Sequence, residues 1–202
     1  VWDAASLIES ASVDVGTGTR SVAFNYDGTQ IVSGHTAQDG LIMLWDAVSL
    51  TELASAITGS YGAGVSSVAF SSDGTKVALG DGNGDVQVWD AASLTDLNTV
   101  NVGSALRSVD FNGDGTKLVS GDNGRAVKLW DAETLGELAT AYVGSWVVTV
   151  AFSSDGTKVV SADQSGAIKV WNEATLSERA SGNAGGWVTT VAISGDGTKV
   201  VS

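Results

Sequence analysis

Several side chains stand where chemistry could be done. Asp110 lies in the apolar run Ser108-Val109-Asp110-Phe111, where the run Ser21-Val22-Ala23-Phe24 has alanine. A carboxylate in such a run needs a partner or water. It could pair with Arg107 or point into a wet channel. As a catalytic acid it lacks a second carboxylate or base, so a structural role is favoured. Arg20 and Arg107 directly precede these two runs, and two guanidinium groups could clamp a carboxylate. The plainer reading makes them solvated residues balancing nearby Asp. Trp146 and Trp187 precede the runs beginning at Val147 and Val188, and Tyr61 falls in a comparable stretch. Neighbouring aromatics make interface hot spots; alternatively each tryptophan caps a gap between packed elements. Asp81-Gly82-Asn83-Gly84-Asp85 resembles the start of a calcium loop, but Val86 stands at the sixth position and Ala92 at the twelfth. A hairpin turn suits it better. His35 is the single histidine. It falls beside a loop insertion, it has no matching ligands, and no chemistry is assigned to it.

The elements that position these residues come from a repeat. Asp-Gly recurs at Asp27, Asp73, Asp114, Asp155 and Asp196, spaced 46, 41, 41 and 41 residues apart. Tryptophan recurs at Trp2, Trp45, Trp89, Trp130 and Trp171, spaced 43, 44, 41 and 41. The irregular unit carries its extra residues near His35-Thr36-Ala37-Gln38 and Tyr61-Gly62-Ala63-Gly64, polar or Gly-rich stretches that read as loops.

One unit reads as four strands. Thr149–Phe152 is a short apolar run, and Ser153–Gly156 is a turn in which Asp-Gly supplies positive φ angles. Lys158–Ser161 is the second strand, Asp163–Gly166 a second turn, and Ala167–Trp171 a third strand rich in β-formers. A weaker, polar fourth strand covers Ser177–Ser181 and faces water. The inner strands are apolar on both faces, so both faces are covered. Four antiparallel strands repeated at this period describe propeller blades packed side by side. The expected fold is all-β: a β-propeller of four-stranded antiparallel blades, about five in this chain. Whole units span 21–66, 67–107, 108–148 and 149–189, and half-units span 1–20 and 190–202.

These residues resemble the WD-repeat (WD40) β-propeller family over essentially the whole chain. The signature pair ends the third strand as Trp2-Asp3, Trp45-Asp46, Trp89-Asp90 and Trp130-Asp131, with Trp171-Asn172 a mild departure. The phrase VAFSSDGTKVVS matches the family's first hairpin. The resemblance implies a Gly-His opening each unit, but this chain has Gly59-Ser60, Gly103-Ser104 and Gly144-Ser145, with looser versions at Gly16-Thr17 and Gly185-Gly186. The family's buried relay through that histidine is therefore expected to be absent, with Ser or Thr bonding locally to backbone instead. The family's usual proline before the Asp-Gly turn is also missing. In proteins of this family the start of the first strand lines the ring centre and one rim. Arg20, Ser66, Arg107, Val148 and Thr189 occupy the position just before it.

Composition narrows the partners. The net charge is −13, with 23 acidic against 10 basic residues, and it repels nucleic acid and anionic membrane surfaces. The 202 residues hold no cysteine and no proline, which excludes disulfides and thiolate metal sites. Twenty-six glycines serve the turns. No apolar run reaches the roughly eighteen residues of a spanning helix, and no signal peptide is visible. Val1-Trp2-Asp3 reads as a cut edge. Two arrangements stay open: a five-bladed ring whose half-units meet in one blade, or a segment of a larger ring or array, which is favoured. The expected function is a non-catalytic protein–protein interaction scaffold acting through rim loops and the central opening, with a protein or peptide as partner. The alternative is a self-associating structural module. A propeller hydrolase would need paired carboxylates that break the repeat, and only Asp110 breaks it suggestively. No cofactor is expected.

Overall fold

The computed structural model describes residues 1–16, 18–36 and 39–202. The looser opening pair at Thr17, and Ala37 and Gln38 of the first insertion, lie outside the described residues. Among the described residues every regular element is a strand, and no helix is long and apolar enough to cross a membrane.

Blade 1 comprises β1 (Thr19–Phe24), β2 (Gln30–His35), β3 (Leu41–Asp46) and β4 (Glu52–Ile57). Blade 2 comprises β5 (Val65–Phe70), β6 (Lys76–Asp81), β7 (Asp85–Asp90) and β8 (Thr95–Asn101). Blade 3 comprises β9 (Leu106–Phe111), β10 (Lys117–Asp122), β11 (Ala126–Asp131) and β12 (Glu137–Tyr142). Blade 4 comprises β13 (Val147–Phe152), β14 (Lys158–Asp163), β15 (Ala167–Asn172) and β16 (Glu178–Asn183). β17 (Ala192–Ile193) and β18 (Val200–Val201) form a separate two-stranded sheet. Each blade is an antiparallel meander in chain order. The first four first strands begin two residues ahead of the unit boundaries read from the spacing. Among the described residues no sheet joins β17 and β18 to the start of the chain, where the isolated bridge Trp2–Glu9 stands alone. The two half-units thus do not meet in one blade.

Alternation along each strand builds the core. Leu118 and Trp130 face blade 2 and join Val86, Val88 and Ala78. Val119, Val127 and Leu129 face the other way, onto Val150, Phe152 and Trp171 of blade 4. Period-two strands with apolar residues on both faces can be buried only between two neighbours. Of the fourth strands, β16 is polar and exposed throughout, as expected; β4, β8 and β12 mix exposed with half-buried positions, and Ala54, Ala56, Ala139 and Ala141 pack onto the core.

Two turns recur. In the Asp-Gly turn only glycine takes positive φ (Gly156 at 67°), so this is not the hairpin with two positive φ angles that Asp-Gly suggested. The N–H of Gly156 closes onto Ser153 O at 2.8 Å. The aspartate serves through its side chain instead: Asp155 Oδ1 accepts the N–H of Thr157. In the Trp-Asp turn, Asp131 Oδ1 accepts the N–H and hydroxyl of Thr134. Asn172 Oδ1 accepts the same pair from Thr175, so the departure at Trp171-Asn172 keeps the turn. Leu94, Leu135 and Leu176 follow at φ 47–51°. Left-handed leucine costs about 1–2 kcal/mol, and the burial of all three side chains offsets it.

Candidate functional site

A rim cleft of about 210 Å³ lies where blades 3 and 4 meet the segment after β16. Its walls include Trp146, Trp187 and Arg107, with Asn123, Gln164 and Thr189 as polar neighbours. The backbone positions arise from one repeated bond. The carbonyl of Ala105 accepts the N–H of Asn123, and that of Trp146 accepts the N–H of Gln164, both at 2.9 Å. Gly64 and Gly18 accept equivalent bonds from Gly82 and Thr36. Trp187, just before Val188, follows them in the repeat. The series is therefore Gly18, Gly64, Ala105, Trp146, Trp187, and only its last two members are aromatic. Trp146 is 47% exposed and Trp187 84%, while the adjoining Val147 and Val188 are buried.

Of the residues singled out in the sequence, Trp146, Trp187 and Arg107 come together. Tyr61 does not join them. It sits in the turn after Ser60, three residues before the repeat position that Gly64 fills, and is exposed. Arg20 lies in β1, two blades from Arg107, and is not part of the cleft wall. Asp110 is also apart. Arg107 sits at a bulge, where the pairing of β9 with β10 passes from Leu106 to Ser108, and among the described residues it makes no ion pair with Asp110. Asp110 Oδ2 instead accepts the N–H of Phe152 on blade 4 at 2.8 Å. This extends a staircase in which Ser21, Ser67 and Ser108 accept the N–H groups of Val68, Val109 and Val150 across successive blades. Burial lifts the Asp110 carboxyl to about 6, against the opposing pull of the Phe152 and Phe111 N–H groups.

Thr189 was placed with Arg107 at the position before the first strand, but Asn123 and Gln164 were missed in the sequence. The signal was present: Asn123 and Gln164 each follow the aspartate that ends a second strand, where blade 2 has Gly82. In blade 2 the aspartate at this turn, Asp81, spends Oδ1 on the N–H groups of Asn83 and Asp85, closing the hairpin where the calcium-like spacing stood.

His35 corrects a further expectation. It is buried at the end of β2, in the strand position held by Asp81, Asp122 and Asp163. Trp45 Nε1 donates to Ser33 Oγ at 2.7 Å, Ser33 Oγ meets His35 Nε2 at 2.8 Å, and His35 Nδ1 meets Thr19 Oγ1 at 3.2 Å. A histidine relay thus exists in blade 1, entered from the second strand, and burial holds the imidazole pKa below its ordinary value. Blades 3 and 4 keep only its first step, Trp130 to Ser120 and Trp171 to Ser161. Ser60 likewise departs from the expected backbone bond: its hydroxyl donates to the buried Asp81 carboxylate.

The family model described as nucleolar protein 10-like, N-terminal domain, a WD40-type β-propeller, matches residues 9–179. The chain belongs to this family. No curated protein matches it. In this propeller domain the match covers blades 1 to 3, the first three strands of blade 4 and the start of β16, and with them Arg107 and Trp146; it stops short of Trp187.

Proposed function

We propose that this propeller domain is a non-catalytic scaffold that binds a protein or peptide segment in the rim cleft formed by Trp146, Trp187 and Arg107. The observation that carries the reading is the break in the repeat: exposed tryptophans stand at two adjacent rim positions where the other units have Gly or Ala. Large exposed aromatics next to one arginine are the residue types that dominate interface energetics. Family membership supports an interaction role by analogy of fold. Selection of binders from a displayed random peptide library, followed by titration against Trp146→Ala/Trp187→Ala, tests it. Loss of binding by tenfold or more is expected. Binders unaffected by the double substitution would place recognition elsewhere.

A second reading, association with another copy, is favoured by one observation. Val22 is 64% exposed, whereas its equivalents Val68, Val109 and Val150 are 4–5% exposed beneath a neighbouring blade. Val22 and Phe24 line an apolar groove of about 480 Å³ with Ile31 and Trp45. On blade 4, Ile168 and Val170 are only half-buried, though they hold the places of Val127 and Leu129. Blade 4 of one copy, together with the segment whose Val188 and Val191 pack on its Val160 and Ala162, would seat on blade 1 of the next. Sedimentation over a wide concentration range decides this: association weakened by Val22→Lys supports it, and a monomer throughout removes it.

A further inference from the structure

We infer that the rim cleft selects acidic peptide segments, reading an Asp or Glu carboxylate with Arg107 while Trp146 and Trp187 take an apolar neighbour. This rests on the scaffold reading above and adds the chemistry of the ligand. Arg107 carries the argument. Its Nε donates to Asn123 Oδ1 at 2.8 Å, and Asn123 is itself held by its N–H bond to Ala105 O. The guanidinium is thereby oriented, with its terminal NH₂ groups left to donate. Among the described residues Arg107 has no carboxylate partner, in a chain with 23 acidic and 10 basic residues. Lys117, Lys128 and Lys169 each pair with a glutamate; the other lysines and arginines, like Arg107, form no ion pair among the described residues, and what sets Arg107 apart is its place in the cleft wall and the bond to Asn123 that orients it.

An oriented, unpaired guanidinium beside aromatic walls matches one chemistry well. Its terminal NH₂ groups can donate two parallel hydrogen bonds to a carboxylate, and the indoles beside it offer apolar surface to a neighbouring side chain. A cationic ligand would meet the arginine charge inside the cleft. A doubly charged phosphate would meet one arginine against a net charge of −13, which a singly charged carboxylate tolerates better. Gln164 and Thr189 on the same walls supply donors and acceptors for a peptide backbone.

The experiment uses the intact chain. Peptides selected from a displayed random library are titrated by tryptophan fluorescence against wild type, Arg107→Gln, Arg107→Lys and Trp146→Ala/Trp187→Ala, with circular dichroism confirming that each variant folds. Selected sequences are expected to share an Asp or Glu beside an aliphatic or aromatic residue. Arg107→Gln should weaken binding tenfold or more, and Arg107→Lys should recover only part of the loss. Replacing the peptide carboxylate by its amide should cost as much as Arg107→Gln, with little added loss when both changes are combined. Peptides that need both tryptophans yet ignore Arg107, or that are neutral or basic, would overturn the carboxylate inference and leave the scaffold reading standing. Peptides indifferent to the tryptophans, or an empty selection, would overturn both.

Discussion

The interior junctions and the rim cleft are built on the same repeat and treat it in opposite ways. At the junctions the units agree: Val68, Val109 and Val150 share one buried position, and Trp89, Trp130 and Trp171 share another. At the rim they diverge, from Gly64 to Ala105 to Trp146 and Trp187, and the larger residues are exposed. A blade cannot bury two apolar faces alone, so agreement at the junctions is what holds neighbours together. The rim position points away from that packing. Gly64 leaves no room for a side chain, since it takes φ 70° and an added Cβ would stand 2.8 Å from Thr36 Cα, whereas Trp146 and Trp187 extend into solvent, and this variation frees the position for recognition.

The comparison would break if a junction residue could be removed cheaply. Leu129→Ala deletes a fully buried side chain between blades 3 and 4. It should cost about 2–4 kcal/mol in urea unfolding, while Val22→Ala on the exposed face of blade 1 should cost less than about 0.5 kcal/mol. Equal losses would mean that the junctions do not carry the stability.

Trp130→Phe keeps most of the ring but removes the Nε1 donor to Ser120 Oγ. A loss of about 1–2 kcal/mol is expected, without change in partner binding. Reduced binding at unchanged stability would erase the division between junction and rim.

Asp110 sharpens the comparison through pH. Its folded pKa of about 6 lies above the ordinary 3.8, so the folded state binds the proton more tightly than the unfolded chain. Its contribution is most favourable below pH 4 and is lost as pH rises through about 6. Asp110→Asn keeps an acceptor for the Phe152 N–H and removes the charge. It should therefore gain stability over wild type at pH 8 and lose that advantage near pH 4. A constant offset across this range would contradict the burial of the carboxyl. The turn carboxylates act in the opposite sense: Ser194, with Thr198, holds Asp196 down to about 2, so its contribution is lost as pH falls below 4.

The smallest effect belongs to Arg125, which takes φ 70° where blades 2 and 4 have Gly84 and Gly166. Arg125→Gly should stabilise by up to about 1 kcal/mol by relieving a left-handed side chain. Destabilisation would show that its side chain makes a contact worth more than the strain.

Much of this was legible in the sequence because it repeats. Asp-Gly and Trp-Asp fixed the strand order of every complete unit, and the unmatched Trp146 and Trp187 marked the rim. His35 was not legible, because a relay entered from the second strand instead of the family's usual place leaves no spacing signature. The partner of Asp110 was hidden for a related reason: it is a backbone N–H 42 residues away on the next blade, and a backbone group has no residue type to read. Asn123 had a repeat position to read, after the aspartate that ends β10, but its bond to Arg107 gave no spacing signal.

The most direct measurement is the urea unfolding of Trp146→Ala/Trp187→Ala, followed by far-ultraviolet circular dichroism. If the two indoles form a recognition surface, the double variant unfolds within about 1 kcal/mol of wild type. If they cap the gap between blades 3 and 4 and the segment beyond, the midpoint falls by as much as Leu129→Ala lowers it, and the rim cleft is packing and not a binding site.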